Sequence, residues 1–525
     1  MDLRAVKQIT GRRAFIELLL DEGITHLFGN PGTTELAIME AVPEYPRLKF
    51  VLGLQESVVV AMADGYARAS GRLAAANVHV MPGLGNAMGA LYNAKFSGSP
   101  IILTAGQQEQ GHGLLEPMLY EPLVPVAQPL AKWAIEVTRA ADLPRIIHRA
   151  AKIALTPPTG PVFLSLPGDV LDETAELDMG STVRVDTAAR PSDATLAKVA
   201  ELLTSAKRPA ILAGQELAMR DAFAEATQCA ERLGAEVRKT LEAHDVLLVL
   251  GADLLRMSVH SPVEPLPPEL RVIHISERAH ELGKNYRTDV AVQADVKETL
   301  RALLPLLKVD RQAAEERLAE LKPRNWSAQR DKARVDAMLA AETKPIDPQY
   351  LMLRFTETLP RDAVVVDEGL VSTYSLPRFL AMRGPRDYYG LASGGLGFAV
   401  PGAVGISLAL AGRPLAVVVG DGAAMYSIQG LWTAAHLALP ITYVIANNRG
   451  YRIIKERLVA FRKTDKFTGM DLRAPEIDFV QLAKSCGLLA RRVLEPTDIA
   501  PALREAFASG KPNLIDVRVA DGFGG

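Results

Sequence analysis

Short runs of valine, isoleucine and leucine recur along the chain between helical patterns, and they fall into three sets. ITHLFG, LKFVLGL, AAANVHV, PIILTAG and GPVFLSLP come first, PAILAG, DVLLVLG, LRVIHIS and VAVQAD follow, and DAVVVDEG, RPLAVVVGDG, PITYVIANN and PNLIDVRV close the chain. A strand that is apolar on both faces has to be covered on both, so each set reads as a parallel sheet flanked by helices. The polar stretch MGSTVRVDTAARPSDA reads as a linker between the first two sets. The charged stretch VDRQAAEERLAELKPRNWSAQRDKARVDAML reads as a solvated helix and connector before the third. The expectation is an α/β protein with three domains of parallel sheet and helix, at residues 1–180, 190–325 and 343–525. A length of 525 residues asks for about that number at ~100–200 residues per domain.

Charge and composition narrow the partners. Lys plus Arg number 59 against 61 Asp plus Glu, so the chain offers no basic field for nucleic acid and points to a small molecule. The longest apolar run, Ala399 to Gly412, stops at Arg413, short of the ~20 residues that a membrane span needs. Two cysteines, Cys229 and Cys486, cannot build a disulfide framework and suit a reducing compartment. The opening MDLRAVKQITGRRAF has no apolar core of a signal peptide, and the expectation is a soluble, cytoplasmic protein.

The chemistry concentrates in GDGAAMYSIQGLWTAAHLALPITYVIANNRG, from Gly420 to Gly450. The strand PLAVVV feeds a glycine turn and then a helix, a place where backbone N–H groups favour phosphate. Asp421 would repel a bare phosphate, and an acid there makes sense if a hard cation sits between protein and ligand. The next strand returns Asn448, whose amide oxygen suits the same cation, to the same end of the sheet. GDG alone is a common turn, and paired asparagines often cap strands. The conjunction of strand, GDG, helix, strand and NN is far rarer, and in it the chain resembles the thiamine diphosphate-dependent enzymes. The resemblance implies Mg2+ held by Asp421 and Asn448 side chains and the Gly450 carbonyl. It implies cofactor contacts from Gly394, Leu396, Gly420, Gly422, Ala423, Tyr426, Asn448 and Tyr451, with Leu396 supporting the cofactor's bent shape.

Such a cofactor needs a carboxylate near its aminopyrimidine, and LKFVLGLQESVVVAMADGYAR supplies Glu56 between a strand and an apolar helix. Left alone, Glu56 would read as an acid favoured by a helix N-terminus. GNPGTTEL, LQES with ADGYA, NVHVMPGLGNAMGAL, TAGQQ and GGLGFAVP narrow the resemblance to benzoylformate decarboxylase and its close relatives. Carried over by position, Thr33 offers a hydroxyl to the substrate carboxylate, His79 is the active-site histidine, and His260 stands two residues from the place of a second one, held by Ser258. A lone histidine on an apolar strand is more often a satisfied core residue, but the PGLGN turn after His79 puts it at a strand end.

The chain departs from those relatives in lacking a loop after Val237, in Ile453 and Arg457 on the helix after NN, in Leu370 and Val371 after DEG, and in Ala423. Leu114, Leu115, Ile453 and Arg457 are the residues expected to shape the acyl pocket. The implied reaction is non-oxidative decarboxylation of a 2-oxo acid, an aryl one such as benzoylformate, to an aldehyde and carbon dioxide. The implied assembly is a homo-oligomer, a dimer at least and a tetramer in full. Carbon–carbon ligation or cleavage of the acetolactate synthase or benzaldehyde lyase kind is the alternative. A noncatalytic cofactor-binding protein would be expected to have lost Glu56 or the metal ligands.

Overall fold

The computed structural model describes residues 6–233, 241–255 and 266–523. His260 and the segment just after Val237 lie outside them. The chain forms two compact units, one made of Asp186–Ala333 with Met382–Arg386, the other of everything up to Val185, Arg334–Ala381 and Asp387 onward. The first and last thirds of the sequence therefore share one body.

A pair of antiparallel strands, β1 (Val6–Thr10) and β8 (Thr174–Asp178), ties the ends of the first third together. Its sheet runs β3 (Lys49–Leu52), β2 (His26–Gly29), β4 (Ala74–Val78), β5 (Ile101–Gln107), β7 (Val162–Pro167) and β6 (Ala134–Glu136) in spatial order, all parallel. The Asp186–Ala333 unit holds four parallel strands, β12 (Val290–Gln293), β11 (Arg271–Ser276), β10 (Val246–Leu250) and β9 (Pro209–Ala213). The last sheet runs β14 (Tyr388–Gly390), β13 (Val364–Glu368), β15 (Leu415–Gly420), β16 (Ile441–Asn447), β18 (Asn513–Arg518) and β17 (Leu489–Val493), again all parallel. The α/β reading of the sequence holds. The charged stretch expected as one helix is two, Arg311–Leu321 and Trp326–Met338. Among the described residues no helix is long and apolar enough to cross a membrane.

Two helices form the seam between the six-stranded sheets. Glu56–Ser70 starts where the Gln55 side chain accepts from the backbone N–H groups of Ser57 and Val58, and it stops at Gly71 in the left-handed region, φ 67°. It is buried along almost its whole length and packs on Ala399–Ala409, which is apolar all round. The approach is backbone to backbone: a Cβ on Gly65 would stand 2.1 Å from the Gly402 carbonyl oxygen, and one on Gly405 would stand 1.9 Å from that of Met62. Val58, Met62 and Tyr66 consequently share one apolar core with Val400, Ala403, Val404 and the strand residues Val417 and Val419. That core fixes the ends of both sheets relative to each other.

Candidate active site

At the end of β15, Gly420 caps a helix of a single turn, Asp421–Ala424. One turn carries little macrodipole, so what this helix offers is its unpaired first N–H groups. Gly420 pairs with Ala446 of β16, so Asp421 and Asn448 emerge side by side beyond neighbouring strand ends. The Gly450 N–H donates both to Asp421 Oδ2 at 3.1 Å and to Asn448 Oδ1 at 3.0 Å. Both side chains are buried, 3% and 6% exposed. Burial pushes the Asp421 carboxyl up to about 6, against the pull of nearby backbone N–H groups. A buried carboxylate and an amide oxygen converging without a positive partner are a donor set for a hard cation. Among the described residues there is no cluster of three or more His, Cys, Asp or Glu that could hold a metal, so a cation here would complete its shell from the Gly450 carbonyl and from oxygens of its ligand.

Around these residues lies a cleft of about 170 Å³ lined by Gly369–Ser372, Leu396, Gly420–Ala423, Tyr426, Asn448 and Gly450–Ile454. Gly422 is required here, since a Cβ would come 2.7 Å from the Tyr451 ring. Among the described residues, none before Gly369 lines this cleft. A second cleft of about 240 Å³ has Gln55, Asn86 and Asn93 on one side and the loop residues 395–398 on the other. Leu396 and Tyr426 belong to both.

Glu56 is 7% exposed, and its two oxygens are held separately. Asn30 Nδ2 donates to Oε1 and Asn86 Nδ2 to Oε2, each at 3.0 Å. His79 occupies the junction of β4 with the helix Val80–Ser97. Its Nδ1 lies 2.8 Å from Glu35 Oε2 and 3.1 Å from Thr34 Oγ1. Glu35 is fully buried and also accepts from Gly32 N, Gly106 N and the Thr34 hydroxyl. A carboxylate surrounded by donors accepts from the ring as well, which puts the hydrogen on Nδ1 and leaves Nε2 for a ligand. The fit is close: a Cβ on Gly32 would stand 2.2 Å from His79 Nδ1, and one on Gly106 would stand 2.2 Å from Glu35 Oε1. The next residue, Val80, has φ 35°, a strained value for a β-branched side chain of the kind that collects at functional sites. Glu56 and His79 are neighbours, since Glu56 Oε1 and His79 Cβ both lie within 3.4 Å of the point where a Gly83 Cβ would stand.

The other expected residues are placed as follows. Gly394 sits in the loop before Leu396 with φ 83°. Thr33 is exposed, while its neighbour Thr34 makes the contacts to His79 and Glu35. Ile453 lines the smaller cleft, whereas Arg457 is exposed and lies over the Phe461 ring at 5.6 Å. Leu114 and Leu115 are 91% and 73% exposed and line neither cleft. Sequence reasoning missed Asn30, Glu35 and Asn86. Glu35 had a signal, being the sole charge in FGNPGTTEL.

Three segments match the domains of one family: thiamine pyrophosphate enzyme N-terminal binding domain at residues 9–118, central domain at 235–303 and C-terminal binding domain at 371–517. The chain belongs to the thiamine pyrophosphate enzymes. Within them it is 32% identical to benzoylformate decarboxylase of Pseudomonas aeruginosa over 97% of this chain and 98% of that protein. It is 26% identical to the acetolactate synthase large subunit of Parasynechococcus marenigrum over 99% of this chain and 89% of that one. The solved thiamine diphosphate-dependent 4-hydroxybenzoylformate decarboxylase of Rhodococcus jostii superposes with a TM-score of 0.87 at 31% identity, covering 98% of this chain and all of that one. Thiamine pyrophosphate, another name for thiamine diphosphate, is thus the cofactor, and the fold is that of its three-domain enzymes.

Proposed function

We propose that this thiamine pyrophosphate enzyme is a carboxy-lyase that decarboxylates an aryl 2-oxo acid such as benzoylformate to the aldehyde and carbon dioxide, with Mg2+ as the metal. The observation that carries the reading is His79, held by buried Glu35 with Nε2 free, next to Glu56. The bound cofactor supplies a nucleophilic carbon and an electron sink. Asp421, Asn448 and the Gly450 carbonyl would hold Mg2+, with Gly420, Gly422, Ala423, Tyr426 and Tyr451 around the diphosphate. Glu56, spread between two amides, would keep the proton shared with the aminopyrimidine ring at N1′. His79 Nε2 would give and take the proton that replaces the lost carboxylate, and the Thr33 hydroxyl would bind the substrate carboxylate. Leu396 would support the cofactor where the two clefts meet. His260 is retained as a second acid–base candidate.

That the Asp421 cleft takes no described residue from before Gly369 supports a homo-oligomer in which Glu56 and His79 of one chain serve the Asp421 cleft of another, a dimer at least and a tetramer in the fuller proposal. A cytoplasmic location goes with this reading. The test is a screen of 2-oxo acids with added thiamine diphosphate and Mg2+, following aldehyde and carbon dioxide. Release of benzaldehyde from benzoylformate is expected. The acetolactate synthase relative favours a second reading, carboligation. Condensation of two pyruvates without turnover of benzoylformate would establish that instead.

A further inference from the structure

The loop that presents Leu396 has glycine at 394, 395 and 397, with φ 83° at Gly394 and 102° at Gly397. Such a backbone holds no shape by itself. It is gripped from two sides. At the end of β13, Glu368 is 2% exposed, and its Oε1 accepts from Gly397 N and its Oε2 from Ala399 N, both at 2.6 Å. From the other sheet's helices, Asn93 Oδ1 accepts from the Ala392 N–H at 3.3 Å and from the Ser393 hydroxyl at 3.1 Å. Asn93 Nδ2 in turn donates to Asp64 Oδ2 at 2.8 Å, and Asp64 is fully buried. The Ser393 oxygen accepts from Gly395 N at 3.1 Å, which carries the grip to the residue before Leu396.

A cap for the helix Ala399–Ala409 would account for the Ala399 bond alone. It would not account for the bond to Gly397 or for the Asn93 contacts on the far side of the leucine. Burial pushes the Glu368 carboxyl up to about 7 in spite of the backbone N–H groups it meets, so the fold keeps a carboxylate where a neutral side chain would be easier to bury.

We propose that Glu368 and the Asn93–Asp64 pair are positioning residues that clamp the glycine-rich loop from both sides and thereby set Leu396 at the junction of the two clefts. The inference rests on the reading of the Asp421 cleft, which Leu396 lines, as the thiamine diphosphate site. Calorimetric titration of thiamine diphosphate with Mg2+ into the wild type, Glu368→Gln and Asn93→Ala tests it, together with the Tm of each cofactor-free protein. Losing a charge-assisted bond from Glu368, or the two neutral bonds that Asn93 Oδ1 accepts, should weaken cofactor binding about tenfold in each variant. The Tm of cofactor-free Glu368→Gln at pH 8 should equal or exceed that of the wild type, because the substitution removes a poorly solvated charge. Affinity within twofold of wild type in both variants overturns the proposal, as does a loss of affinity that merely follows a lowered Tm. Should Glu368→Gln fail to fold, Ser393→Ala removes the hydroxyl that joins Asn93 Oδ1 to Gly395 N and leaves Glu368 in place, and wild-type affinity in that variant has the same consequence. A wild type that does not bind the cofactor at all would instead overturn the reading of the site.

Discussion

His79 Nδ1 sits 2.8 Å from Glu35 Oε2, and no part of the Glu35 side chain reaches solvent. In the proposed mechanism the pair defines which ring nitrogen meets the substrate. His79→Ala should lower turnover of benzoylformate by ~10²–10⁴ while thiamine diphosphate still binds. Glu35→Gln should lower it by about ten- to a hundredfold, the worth of one hydrogen bond to a charged group. A His79→Ala enzyme within about threefold of wild type, only ~0.65 kcal/mol, would make His79 a core residue and move the acid–base role to His260.

Asp421 is the one acid in its turn and meets only backbone donors. Asp421→Ala should abolish the Mg2+ dependence of cofactor binding and raise the Kd by at least about a hundredfold, since the diphosphate loses the cation that neutralises it. Unchanged affinity in calorimetry would refute the metal assignment.

Arg457 is exposed over Phe461 and away from the cleft walls, as long cationic side chains on helices usually are. Arg457→Leu should therefore leave the preference for benzoylformate over a dicarboxylic 2-oxo acid within about twofold, less than ~0.5 kcal/mol. A collapse of dicarboxylate turnover in the variant would place the guanidinium in the acyl pocket.

Glu368 makes stability depend on pH in a definite direction. Its folded carboxyl titrates at about 7, above the ordinary carboxylate range, so between the two the folded state holds a proton that the unfolded state has lost. Its contribution to stability is present at low pH and declines as pH rises toward 7. The Tm difference between cofactor-free Glu368→Gln and wild type should accordingly grow from pH 5 to pH 8 in favour of the variant. A difference that is constant across that range, read by calorimetric unfolding, would contradict the raised value.

What the sequence disclosed follows burial. The inner strands of all three parallel sheets carry continuous apolar runs, because both their faces are covered, while the edge strand β12 shows in its VAV a run whose residues alternate between buried and exposed. The strands that went unread, β1, β6, β8, β14 and β17, are edges or the separate antiparallel pair, where VKQIT, TAELD and LARRV are polar on at least one side. The same divide runs through the site. Asp421, Asn448 and Glu56 stand in runs whose spacing speaks for them. Asn30 and Asn86 reach Glu56 from distant parts of the chain, and no local pattern marks such a meeting; Glu35 is marked only by being the lone charge in FGNPGTTEL.

The cleft around Asp421 takes none of its walls from before Gly369, while Glu56 and His79 sit far earlier in the chain. Under the proposed pairing, each chain donates one half to each of two sites, and damage becomes separable in a genetic sense. In a mixed dimer of Glu56→Gln with Asp421→Ala, one site gathers both lesions and its twin gathers none. Two dead proteins, coexpressed, should therefore yield living enzyme, with about half the sites of every mixed dimer intact. The same two lesions placed together in one chain and mixed with wild type would spoil every site of the hybrid, one lesion apiece.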